Sequence, residues 1–208
     1  MKTILYVSTA VISAMLLSCT PQGERTRMVE KKLPVELFVD SFLAHNPNGL
    51  INDIMFEETN KKFAEEIEKA LNEPNFLEGI PLHLEGMNQV GKSIKAHFGA
   101  WPEPTTWEYK KPTKKVYFDA IVDIPDSLVS TLDKEKMYIL YGKNIGIVSY
   151  NAAVALYGKK IRVWNPKVSI SKNDIWDDQV DLDFGVLIYH LDSIKPFTGK
   201  REKEAIKY

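Results

Sequence analysis

The sequence predicts an α+β, mainly β chain: two N-terminal helices, then about five antiparallel strands. Three observations predict it. Apolar residues recur at helical spacing between residues 34 and 73, Pro and Gly clusters stop each helical run, and from Ile80 onward the period shifts towards two. A chain of 208 residues is ample for one domain with a small appendage.

The first helix is expected over 34–45. Val35, Phe38, Val39, Phe42 and Leu43 make one apolar face, Pro34 suits the first turn, and Asn46-Pro47-Asn48-Gly49 stops the run. His45 falls in the last turn, where the helix dipole favours positive charge. The second helix is expected over 53–73, with Phe56, Phe63, Ile67, Ala70 and Leu71 on one face and Pro74 beyond it. The pairs Glu58–Lys62 and Glu65–Lys69 have the favourable acid-first order and read as a solvated face. Together these elements form a helical segment, 34–79.

Residues 80–196 read as β-rich. Ile94, Ala96 and Phe98 alternate with Lys95 and His97, and Val116, Phe118, Ala120 and Val122 alternate with Tyr117, Asp119, Ile121 and Asp123. Further strands are expected over 137–149, with Gly142 as the weak point, and over 160–170 and 184–194. A short helix at 152–157, capped by Asn151 and ended by Gly158, falls between the third and fourth strands. Leu140-Tyr141-Gly142-Lys143-Asn144-Ile145 is echoed by Leu156-Tyr157-Gly158-Lys159-Lys160-Ile161. Two copies do not make a repeat array, and the echo reads as two similar turns, which counts against the short helix. The charged stretch 197–208 reads as a flexible tail.

The N-terminus carries the most specific pattern. Lys2 precedes the apolar run Ile4–Leu17, and the sole cysteine, Cys19, follows at once. The run is too short to span a bilayer, which takes about 20 apolar residues. Leu16-Leu17-Ser18-Cys19 resembles the lipobox of bacterial lipoproteins, with Leu17 where a smaller residue is usual. The resemblance implies that the signal peptide 1–18 is removed and Cys19 is lipidated. Several acyl chains would then hold the protein to the membrane firmly, where one would not. Thr20, in place of an aspartate, implies the outer membrane, facing the periplasm. Surface display stays open. The polar segment 19–33 reads as a lipidated tether, its flexible part reaching about 20 Å on random-coil scaling.

That compartment is oxidising, yet the mature chain keeps no cysteine for a disulfide, so the fold must rely on its core. Loss of Lys2 takes the formal charge from −1 to −2, without the basic footprint that nucleic acid requires.

Several motifs invite chemistry. Gly86-Met87-Asn88-Gln89-Val90-Gly91-Lys92-Ser93 matches the phosphate-binding P-loop at its fixed positions. A P-loop must open a helix, however, and the alternation after Ser93 predicts a Gly-containing turn between strands instead. Ser169-Ile170-Ser171-Lys172 has Ser-x-x-Lys spacing without a Lys-Thr-Gly elsewhere. The acidic run Asp174, Asp177, Asp178, Asp181 and Asp183 fails the EF-hand register and reads as a solvated turn entering a strand. His45, His83, His97 and His190 lack metal-ligand spacing and read as packing residues. No metal, cofactor or catalytic set is expected.

Aromatic residues supply the candidate ligand site. Trp101, Trp107 and Tyr109 lie in a Pro-rich loop followed by Lys110, Lys111, Lys114 and Lys115, and Trp176 lies in a second loop. Tryptophan is usually packed, but on a loop it makes a stacking platform, with Trp107 and Trp176 the expected exposed pair. The order of elements in 80–196 is similar to an OB-fold, a five-stranded antiparallel Greek-key barrel. The resemblance implies ligand binding between the loops joining strands 1–2 and 4–5, here about 99–115 and 171–180. Helices packed on a curved antiparallel sheet, a cone-shaped α+β fold, use the same elements. The expected function is a non-enzymatic envelope module binding a glycan, peptide or partner protein. A carboxylate-dependent hydrolase is the alternative, and a nucleotide-binding P-loop protein the remote one. Two buried acids in a cleft would favour the enzyme and an aromatic surface the binder.

Overall fold

The computed structural model describes residues 26–49, 53–100, 114–172, 180–199 and 203–207. Two compact units divide the chain, residues 32–200 and the two ends, 1–31 with 201–208. Among the described residues no helix is long and apolar enough to cross a membrane.

The larger unit is α+β. Helix α1, Pro34–His45, starts where Leu33 N–H donates to Glu36 Oε2 at 2.8 Å. It ends where the Asn46 side chain donates to the Phe42 carbonyl at 2.9 Å. Val35, Val39 and Phe42 are buried along one stripe, as the spacing predicts. Helix α2, Asp53–Ala70, stops short of Glu73, and the Asn72 side chain donates back to the Glu68 carbonyl. Its buried stripe is Thr59, Phe63 and Ile67, so Phe56 is only half-buried. Phe63 meets Phe42 edge-on at 5.3 Å and Phe184 of the sheet at 6.3 Å, which docks the helical layer.

The sheet has six strands: β2 (Leu82–Val90), β3 (Ser93–Ala100), β4 (Lys114–Ile124), β5 (Met137–Val148), β6 (Val168–Lys172) and β7 (Val180–Pro196). Their order is β4-β3-β2-β5-β7-β6, antiparallel throughout, and β4 pairs in addition with β7 in parallel. Helix α3 (Asp126–Val129) links β4 to β5, and α4 (Tyr150–Tyr157) follows β5. Strand β2 was not among the five expected. Consequently the 99–115 segment joins the second and third strands of the sheet, not the first and second. The strand expected over 160–170 begins only at Val168, and the preceding residues are irregular. Helix α4 is capped by Ser149, whose Oγ accepts from Ala152 N–H at 3.3 Å, rather than by Asn151, and Gly158 ends it in the left-handed region.

The P-loop-like segment is a hairpin. Residues 86–90 lie in β2, Val90 pairs with Ser93, and Gly91 takes φ +61 in the two-residue turn. No helix follows it. Its glycine and asparagine serve α4 instead: a Cβ on Gly86 would lie 2.9 Å from the Tyr157 hydroxyl, and the Asn88 side chain donates to the Tyr157 carbonyl at 2.7 Å.

The smaller unit contains β1 (Thr26–Glu30) and β8 (Lys203–Lys207), paired antiparallel from Thr26↔Lys207 to Glu30↔Lys203. Sequence reading assigned no element to either segment. Their pairing joins backbone groups, which a side-chain period does not announce.

Candidate functional site

Both faces of the sheet are covered. One carries the main core with α1 and α2, and the other carries a smaller cluster of Ile121, Ala153, Tyr157, Ile161 and Val186 beneath α4 and the chain that follows it. A bulge keeps β7 in phase with both. Tyr117 opposes Asp183 but Asp119 opposes Val186, and the extra residue is accommodated at Gly185, φ +72. Leu182, Phe184 and Leu187 therefore face the main core, while Asp183 and Val186 share the second face.

Polar groups gather on this second face. His97 of β3 donates through Nε2 to Asp119 Oδ1 of β4 at 2.7 Å, and the two residues are only 3 % and 1 % exposed. The Tyr157 ring meets the imidazole edge-on at 5.9 Å. Asp119 Oδ2 accepts from the Trp164 backbone N–H at 3.4 Å. Asp183 Oδ2 accepts from Asn165 Nδ2 at 3.2 Å and Ser169 Oγ at 3.3 Å, whereas the buried Oδ1 has no donor among the described residues. Two buried carboxylates thus hold consecutive residues of an irregular segment, Trp164 by its backbone and Asn165 by its side chain. Trp164 itself is 60 % exposed, with its ring stacked on Tyr117 at 5.2 Å and 10°.

Burial pushes the Asp183 carboxyl up to about 6; the Asn165 and Ser169 hydrogen bonds oppose this, and Asp181 and Asp119 add to it. The Tyr117 phenol is pushed up to about 12, by burial first and then by Asp181 and Asp183. Because folded Asp183 holds its proton more tightly than the unfolded chain, its contribution favours folding most below the unfolded value of 3.8 and fades as pH rises towards about 6. The expected loss across that window is on the order of 2–3 kcal/mol, and Asp183→Asn should flatten it. Urea unfolding of parent and variant at intervals between pH 4 and 7 reads the difference. Equal slopes would remove Asp183 as its source.

Trp101, Trp107, Tyr109 and Trp176 lie outside the described residues, as do Asp174, Asp177, Asp178 and Cys19. The histidines disperse: His45 contacts the Ser41 carbonyl within α1, His83 lies on β2, His190 is exposed on β7, and His97 is buried rather than a half-exposed packing residue. Among the described residues no three His, Cys, Asp or Glu side chains could hold a metal ion. Ser169 of the Ser-x-x-Lys run sits on a strand and hydrogen-bonds Asp183, not at a helix start.

Sequence reading missed Trp164, Tyr117 and the His97–Asp119 pair. Polar and charged residues at alternate strand positions fit a face turned to water as well as a covered one. The available signal was Ile121 and Tyr117 in that same row, apolar bulk that implies a covering layer. Comparison with protein-family models, with curated proteins and with solved structures gives no match to this chain.

Proposed function

We propose that the protein is a lipid-anchored, non-enzymatic binding module of the bacterial envelope, built on an OB-like barrel. One observation carries the binding role: an exposed tryptophan whose ring is stacked on Tyr117 and whose backbone is tied to the buried Asp119. A fold gains little stability from clamping an exposed indole, whereas a rigid platform loses less entropy when a ligand settles on it. In this arrangement Asp119 and Asp183 act as supports. The hydrolase reading draws on Asp183, whose carboxyl remains protonated to about pH 6 as a general acid requires. Against it, Asp119 is sealed and engaged with His97 and Trp164.

The barrel reading is supported by the pairings. β2, β3, β4, β7 and β5 follow one another by hydrogen bonding, β5 returns to β2, and the single parallel step is β4–β7. A five-stranded OB-type ring has this connectivity. The anchor is supported by Lys2, the apolar run and Cys19. Cys19→Ala should move the protein from the membrane to the soluble fraction of an expressing bacterium, read by fractionation and immunoblot. Retention equal to the parent would sink the anchor.

A further inference from the structure

We propose that the surface around Trp164 binds a neutral, hydroxyl-rich saccharide, its C–H face on the indole and its hydroxyls directed to Asn165 and Ser169, which Asp183 orients. The proposal rests on the binding-module reading and gives its ligand a chemical class.

The platform comes first. Tyr117 stacks on Trp164 nearly parallel, so one indole face is occupied and the other is held flat at the surface. The face of an aromatic ring carries partial negative charge, which attracts the partly positive C–H groups of a pyranose. A single flat face matches a sugar ring. Quaternary or methylated ammonium groups are instead held in aromatic cages, whose ring faces converge on one point, and here Tyr117 and Trp164 turn a face towards each other.

The polar groups beside the platform select further. An ionised carboxylate offers about four acceptor sites. Asp183 Oδ2 takes two donors from Asn165 and Ser169, while Oδ1 takes none among the described residues although Asp183 is only 6 % exposed. A buried acceptor without a donor is rare. Oδ1 itself is sealed, so a sugar hydroxyl engages the half-buried Asn165 and Ser169 that Asp183 holds in place, accepting from the amide and exchanging a hydrogen bond with the hydroxyl. The sign of the field completes the selection. Asp181 and Asp119 both raise the Asp183 carboxyl, so an anionic group brought against Asp183 would meet like charge.

The test is calorimetric titration of the unlipidated Cys19→Ala chain with cello-, malto-, manno- and chito-hexaose, and separately with a lysine-rich peptide. At least one hexaose is expected to bind with Kd between about 10 μM and 5 mM, and Trp164→Ala to weaken it by about tenfold or more with the urea midpoint unchanged. Trp164→Phe should restore part of the affinity, because a flat ring remains. The absence of hexaose binding up to about 10 mM, or equal binding by Trp164→Ala, overturns the proposal. If the peptide alone binds and depends on Trp164, the saccharide assignment falls and the binding-module reading stands. If neither probe depends on Trp164, both fall at this surface.

Discussion

His97→Ala should destabilise the chain by about 3–5 kcal/mol, measured by urea unfolding at pH 7, because it leaves the Asp119 carboxylate buried with a single long hydrogen bond from Trp164. Removing one partner of a buried pair costs far more than the pair contributes, since the remaining group must stay desolvated and unpartnered. The lost imidazole also leaves a void beneath Tyr157. Asp119→Asn should cost less, because an amide keeps the shape and a hydrogen bond to His97 without a buried charge. The double variant His97→Ala/Asp119→Asn should then recover part of the loss. A single-variant cost below about 1 kcal/mol would mean that the pair is reached by water.

The second large effect concerns the two echoed segments. Gly142→Ala is expected to cost on the order of 3–4 kcal/mol, and Gly158→Ala only about 1–2 kcal/mol. Gly142 sits at a bulge between β5 and β7 with φ +152, and a Cβ there would lie inside the contact shell of the His190 carbonyl oxygen. Backbone would have to move. Gly158 has φ +79, so a side chain meets the usual left-handed strain, but its nearest neighbours are side-chain atoms of Asn88 and Val90 at 3.0 Å. Those can give way. Urea midpoints of the two variants measured together decide the matter, and equal costs would show that φ alone governs both positions.

The echo also marks the boundary between what is local and what is not. Leu-Tyr-Gly-Lys occurs in both segments, yet Leu140–Lys143 lies within β5 while Leu156–Lys159 crosses the end of α4. The expectation of matched turns is therefore overturned. Four residues do not carry enough preference to choose a conformation, and Ser149 capping α4 and the β7 partner of β5 make the choice. Similarly, Gly86 to Ser93 has P-loop spacing because the hairpin needs Gly91 and the packing of Tyr157 needs Gly86.

The sequence by itself determined the α+β class, most of the stripes of α1 and α2, the hairpin in place of a P-loop, and the existence of the strands read from a period of two, although β3 and β4 prove buried on both sides. These follow from periods and stop signals that a few neighbouring residues carry. Only the tertiary structure decided that the row Tyr117, Asp119, Ile121 is covered, that His97 and Asp183 lie on that same side, and that Trp164 is presented above them. It also decided the pairing of Thr26–Glu30 with Lys203–Lys207. In each case the partners are distant in sequence. Which side of a strand meets water depends on whether another element returns to cover it, and no local period encodes that return.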